Sequence, residues 1–200
     1  MATAVQKVSI GPEHHGRKMS FEKFIRADFQ EGWLYELARG TIVVTDIPGI
    51  HHGWIVERLS DLFTAYKFGN PGIITYRAGG AESRLRLPGM RCDRHPDQAV
   101  YLDPPPEGDQ PWTEWVPHIV VEVVSKGGVN RDYVEKKEEY LRIGVKEYWI
   151  LDPIKSRMTI LNRAGDTWIE KVLTGRQLYR TELLPGLEVR AAELLGPARL

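Results

Sequence analysis

HIVVEVVS, residues 118–125, decides how the rest of the chain is read. Its β-branched residues Ile119, Val120, Val121, Val123 and Val124 favour a pleated strand over a helix. They run almost without polar interruption, which predicts a strand buried on both faces in the interior of a sheet. The interruption is Glu122, flanked on each side by valines. A carboxylate there is costly to bury unless it is paired or binds a metal. The bland alternative is a glutamate on the solvent side of an edge strand, and the continuous apolar run argues against an edge.

Downstream, a helix is expected from about Asn130 to Gly144, where glycine suits the C-terminal cap. EYWILD (147–152) reads as a second buried strand. Strand, helix, strand in that order implies a right-handed crossover between two parallel strands. On the helix, Asp132, Lys136 and Tyr140 fall at i, i+4 and i+8 and share a face. Tyr133, Val134, Tyr140 and Leu141 form an apolar stripe with Lys137 near its middle. Solvated pairs, Asp132 with Lys136 and Glu138 with Arg142, are the bland reading of this helix. Periodicity does not decide which lysine faces the sheet. MTILNR (158–163), TWIEKVL (167–173) and LYRTELL (178–184) then predict an antiparallel meander, closed by a short helix near Ala191.

Upstream, DQAVYLD (97–103) is a short strand that Asp97 opens and three prolines stop. The segment from Pro104 to Pro117 holds five prolines and reads as a loop. IITYR (73–77) and SRLRL (83–87) read as strands, and His51–Tyr66 as a helix with Trp54, Ile55, Leu59, Leu62, Phe63 and Tyr66 at helical spacing. WLYELA (33–38) and TIVVTD (41–46) flank Arg39-Gly40 as a hairpin. Ser20 caps a short helix bearing Phe21, Phe24 and Ile25. Residues 1–19 are read as an N-terminal arm and residues 20–200 as a single domain. The fold class expected is α/β, of the α+β mixed-sheet kind: a central mixed sheet flanked by helices, with an N-terminal hairpin and C-terminal antiparallel strands.

The composition narrows the function classes. No run approaches the roughly eighteen apolar residues of a transmembrane helix. The N-terminal stretch lacks the apolar core of a signal peptide. The single cysteine, Cys92, fits a reducing, cytoplasmic setting. The formal net charge of +0 is not the footprint of a protein that coats nucleic acid by bulk charge, though a local patch would suffice for binding. No Gly-rich phosphate loop and no Gly-x-Ser-x-Gly elbow occurs, which removes P-loop hydrolases and common esterases. The pairs His14-His15 and His51-His52 carry no accompanying cysteine pair, and a zinc site is not expected from them. Arg77, Arg84, Arg86, Arg91 and Arg94 include alternating arginines that could grip phosphates from one strand face, or could simply be solvated.

Two strand carboxylates and a lysine are a physically sufficient kit for phosphodiester hydrolysis. A divalent ion held by the carboxylates activates water and neutralises charge at phosphorus, and the lysine orients the water or steadies the developing charge. The spacing alone is not specific.

The motifs are. HPDQAVYLD (95–103), PHIVVEVVSKG (117–127) and RDYVEKKEEYLRIGVKEYWILDP (131–153) together resemble the Uma family of restriction-endonuclease-like proteins. YELARGTIVV (35–44), His52 and the tail LLPGLEVRAAELL (183–195) match the same family, so the resemblance spans roughly residues 20–195. It implies the PD-(D/E)XK nuclease core, Asp97 and Glu122 as ligands to Mg²⁺ or Mn²⁺, and Glu36 as a supporting acid. The superfamily lysine two residues after the glutamate is Val124 here. The Uma family shares that absence, and its lysine lies in the next helix, which maps to Lys136. Lys126 and Lys137 carry less weight, and Tyr140 falls on the face of Lys136. The function implied is a metal-dependent endonuclease cleaving DNA, acting as a homodimer. The competing reading is an inactive nuclease scaffold that binds nucleic acid or protein in a mobile-element or defence system.

Overall fold

The computed structural model describes residues 7–108 and 111–196. In chain order the elements are β1 (Ser9–Ile10), α1 (Phe21–Ile25), β2 (Asp28–Phe29), β3 (Trp33–Ala38), β4 (Thr41–Asp46), α2 (Ile50–Gly69), β5 (Tyr76–Ala78), β6 (Leu85–Leu87), β7 (Cys92–Arg94), β8 (Gln98–Tyr101) and β9 (Ile119–Val123). A π-helical turn at Arg131–Glu135 then leads into α3 (Lys136–Ile143). β10 (Glu147–Asp152), β11 (Arg157–Ala164), β12 (Thr167–Thr174), β13 (Leu178–Arg180), β14 (Glu188–Arg190) and α4 (Ala191–Leu195) complete the chain. It forms two compact units, Met1–Ile47 with Arg84–His95, and Pro48–Ser83 with Pro96–Leu200.

The first unit is built on the hairpin β3–β4, extended by β7 and β6 into a four-stranded sheet of order β4-β3-β7-β6. Ser20 caps α1 by accepting the Lys23 N–H, which turns Phe21 and Phe24 inward. They pack with Tyr35, Leu37, Ile42 and Val44 from the hairpin. Ile10, in the segment read as an arm, is fully buried in this core, and β1 pairs in parallel with β2. Residues 1–6 of that segment lie outside the described residues.

The second unit is a six-stranded mixed sheet of order β12-β11-β10-β9-β8-β5. All five residues of β9 are buried, as its uninterrupted apolar run requires. It pairs in parallel with β10 and antiparallel with β8. Ile119, Val121 and Val123 face one side and join Trp149 and Leu151 against Ile55, Leu59 and Phe63 of α2 and Leu194 of α4. By the alternation of a strand, Glu122 faces the other side, where α3 packs. Tyr140 of α3 meets Tyr148 of β10 edge to face, with ring centroids 5.0 Å apart. Helices therefore cover both faces of a mixed sheet, the architecture expected.

Three local expectations are revised. Of IITYR only Tyr76 and Arg77 are strand, within β5, and Leu85–Leu87 of SRLRL is a strand in the sheet of the first unit. β7 at Cys92–Arg94 is a strand that its charged sequence conceals; it forms because Asp93 and Arg94 both find partners inside the unit. The third strand of the predicted meander leaves the large sheet: β13 pairs with β14 in a separate hairpin whose Tyr179 and Val189 pack into the core.

That hairpin is tied to β10 through a buried acid. Glu147 Oε1 accepts from the Thr181 hydroxyl at 2.6 Å and Oε2 from the Trp149 indole at 2.8 Å. Burial raises the Glu147 carboxyl above its ordinary range, against the lowering effect of bonds from Thr181, Trp149 and Tyr179. An acid whose folded pKa is raised contributes stability below its unfolded pKa and loses that contribution as pH rises through the folded value. Glu147→Gln, which keeps the shape without the charge, is thus expected to gain stability relative to the parent between pH 4.5 and pH 8. Thermal melts at the two pH values check this; an unchanged offset in Tm would refute it.

Candidate active site

Strands β8 and β9 pair as Gln98↔Val121, Ala99↔Val120 and Val100↔Ile119. Asp97 immediately precedes β8, and Glu122 follows Val121 in β9. The Asp97 side chain reaches the backbone N–H of Val123, the residue after Glu122, at 2.7 Å. Gly79 makes room for this end of β8: a Cβ there would sit 2.2 Å from the Asp97 carbonyl oxygen.

Asp97 is held through one oxygen. Its Oδ2 accepts from the Val123 N–H at 2.7 Å and from His52 Nε2 at 3.2 Å. Oδ1 accepts no hydrogen bond from the described residues. His52 stands in the first turn of α2. Burial lowers its pKa, but the hydrogen bond and charge of Asp97, with the charge of Asp132, outweigh that and leave it raised. The imidazolium form is favoured beside so many acids.

Glu122 is engaged from α3. Its Oε1 accepts from the Tyr140 hydroxyl at 2.6 Å and meets Lys136 Nζ at 2.8 Å. Both charged side chains are nearly fully buried, at 5% and 4% exposure. Lys136 also reaches Asp132 Oδ1 at 3.6 Å, and the Asp132 backbone carbonyl accepts from Tyr148. The π-helical turn supplies Asp132, and the α-helix begins at Lys136. Lys137 turns away: its Nζ pairs with Glu170 of β12 at 2.9 Å, and its carbonyl accepts from the Trp168 indole. Lys126 is exposed in the loop after β9. Of the three candidate lysines, Lys136 is the one in contact with Glu122.

Glu36 lies in the first unit. It accepts from Arg94 Nη1 and from the His95 N–H, each at 3.2 Å. The reading of residues 77–94 as phosphate-gripping arginines is corrected in large part. Arg84 makes a two-oxygen contact with buried Asp93, Arg94 is itself fully buried on Glu36, and Arg77 bonds Gln98 and Thr64. Each is spent on an internal partner, and Arg91 is the exposed member.

The donor chemistry of Asp97 and Glu122 suits a hard divalent cation. Mg²⁺ binds through one or two carboxylates and keeps several waters, so two acids are an adequate set. Among the described residues no group of three His, Cys, Asp or Glu side chains is arranged to hold a metal, which leaves water and substrate oxygens to complete any shell. His52 is the residue that sequence reading undervalued. Its signal was its place at the start of a helix, but its partner is 45 residues away in the chain.

Comparison with known proteins bears on the family and the fold. A family model described as "Putative restriction endonuclease" matches residues 21–193. A solved structure, described as a "putative nuclease belonging to DUF820 from Anabaena variabilis ATCC 29413", superposes with a TM-score of 0.70 at 14% identity, covering 88% of this chain and 97% of the other. At that identity the likeness shows the fold. No curated protein matches the chain at a significant level.

Proposed function

The chain belongs to the Uma2 family of restriction-endonuclease-like proteins, and from that premise we propose that it hydrolyses DNA phosphodiester bonds with Mg²⁺ or Mn²⁺. The observation that carries the reading is the buried contact of Lys136 with Glu122, on the strand beside Asp97. Asp97 and Glu122 are the residues that would hold the ion, which when bound supplies Lewis acidity and a nucleophilic water. Lys136 carries its charge to where negative charge develops on phosphorus oxygens, and Asp132 keeps its ammonium in place. Tyr140 orients the Glu122 carboxylate. His52 and the Val123 N–H fix Asp97 and leave Oδ1 available. Glu36, which the family resemblance implies as a supporting acid, is held by Arg94 and the His95 N–H. Cutting both strands calls for two copies, so a homodimer acting in the cytoplasm belongs to the proposal. No helix among the described residues is long and apolar enough to cross a membrane.

One observation favours the second reading, an inactive scaffold that binds nucleic acid or protein. Glu122 is almost fully buried and already satisfied by Lys136 and Tyr140, as a purely structural cluster would be. Incubation of plasmid DNA with the protein in Mg²⁺ or Mn²⁺, in EDTA, and with Glu122→Gln separates the two. Cleavage that needs both the metal and Glu122 is expected. Intact plasmid under every metal condition, with DNA or protein binding retained, establishes the scaffold.

A further inference from the structure

The neutral total charge conceals a division. The first unit carries ten lysines and arginines against seven acids, and the second seventeen against twenty. Within the first unit the excess is concentrated at the β3–β4 turn. Three chain segments meet there: the Gly40 N–H donates to the Arg91 carbonyl, the Met19 N–H to the Gly40 carbonyl, and the Ile42 N–H to the Arg17 carbonyl. They bring together Arg17, Lys18, Arg39 and Arg91, all exposed. The Arg91 guanidinium lies over the turn, 3.6 Å from where a Cβ on Gly40 would be, and Lys18 Nζ is fixed on Thr41 Oγ1 at 2.6 Å.

The backbone gives a second, independent observation. Arg39 and Arg91 both have positive φ, 48° and 53°, in a region that non-glycine residues rarely occupy. Asparagine or glycine would hold either position with less strain, and such strain tends to persist where a side chain serves a function. Here two adjacent positions of this kind both carry a guanidinium.

We propose that Arg17, Lys18, Arg39 and Arg91 form a docking surface for the phosphodiester backbone of a nucleic acid. Guanidinium groups match phosphate oxygens in pairs, and three of the four cations are arginines. No large exposed hydrophobic residue lies on these segments, which argues against insertion into a lipid surface. The inference takes its partner class from the proposed nuclease function, but binding and cleavage are read separately.

The test uses the full chain in EDTA, so that no metal-dependent cleavage occurs, with fluorescence anisotropy of a labelled DNA duplex across a salt series. The variant carries Arg17→Gln, Lys18→Gln, Arg39→Asn and Arg91→Asn; asparagine tolerates the left-handed backbone, and thermal melts confirm folding. Wild type is expected to bind with a steep salt dependence. The variant should bind at least about 10-fold more weakly, with the slope of log K against log salt reduced by about 0.9 for each phosphate it no longer neutralises. A folded variant with unchanged affinity and slope overturns the proposal. So does a wild type that binds anionic phospholipid vesicles and not the duplex. Because the readout is duplex binding in EDTA, a protein that fails to cleave under any metal condition leaves this test intact, so the two readings fail separately.

Discussion

Lys136→Met is expected to lower metal-dependent cleavage by about 10²–10³-fold, the usual cost of removing one group that stabilises developing charge. Methionine fills the volume of the lysine stem and removes the ammonium, which lies 2.8 Å from Glu122 Oε1 and 3.6 Å from Asp132 Oδ1. The change leaves two acids in a nearly closed site without their cation. Breaking one partner out of a buried pair costs about 3–5 kcal/mol, so the variant should also melt markedly lower. Lys137→Met provides the contrast. Its pair with Glu170 is a third to a half exposed, worth about 0–1 kcal/mol after solvent screening, and cleavage should be near that of the parent. Plasmid cleavage at saturating Mg²⁺ together with thermal melts distinguishes the outcomes. A Lys137 variant that is inactive while the Lys136 variant still cuts would place the catalytic lysine one residue later. If both still cut, the lysine has no part in the chemistry.

Asp97→Asn is expected to weaken Mn²⁺ binding by at least about 10-fold and to abolish cleavage, since even partners outside the metal's immediate ligands cost about 10–100-fold when lost. The substitution is chosen because the amide oxygen can still accept from the Val123 N–H and His52, so the end of β8 keeps its anchor. It removes the charge at Oδ1. Calorimetric titration with Mn²⁺ gives the metal affinity without reference to activity. A binding isotherm identical to that of the parent would remove Asp97 from the proposed metal set. Reduced binding with cleavage intact would assign the essential metal elsewhere.

Much of this arrangement was legible before any coordinates. The valine run around Glu122 demanded an interior strand, and Pro96 and the triple proline bounded the neighbouring one. That the two strands lie side by side, antiparallel, came from the fold, whereas the family resemblance implied that Asp97 and Glu122 serve one site. The hairpin at Arg39-Gly40 and the apolar face of α2 were equally plain. The extent of the family match agrees with the motif string from Tyr35 to Leu195 that suggested it.

The sequence by itself determined the mixed sheet, its flanking helices and the family, because each arises from local periodicity or from a long ordered motif. Helical periodicity left open which lysine meets Glu122, the family resemblance pointed to Lys136, and the tertiary structure supplies the contact itself. An α-helical projection cannot anticipate the π-helical turn at Arg131–Glu135, which holds extra residues in one turn and rotates the helix beyond it. The choice is then fixed by contacts far apart in the chain: Glu170 on the Lys137 ammonium, and Trp168 on the Lys137 carbonyl. The arginines of residues 77–94 show the same limit. Whether a guanidinium is buried on an acid, as Arg94 is on Glu36, or left exposed, as Arg91 is, depends on partners brought together only by the fold.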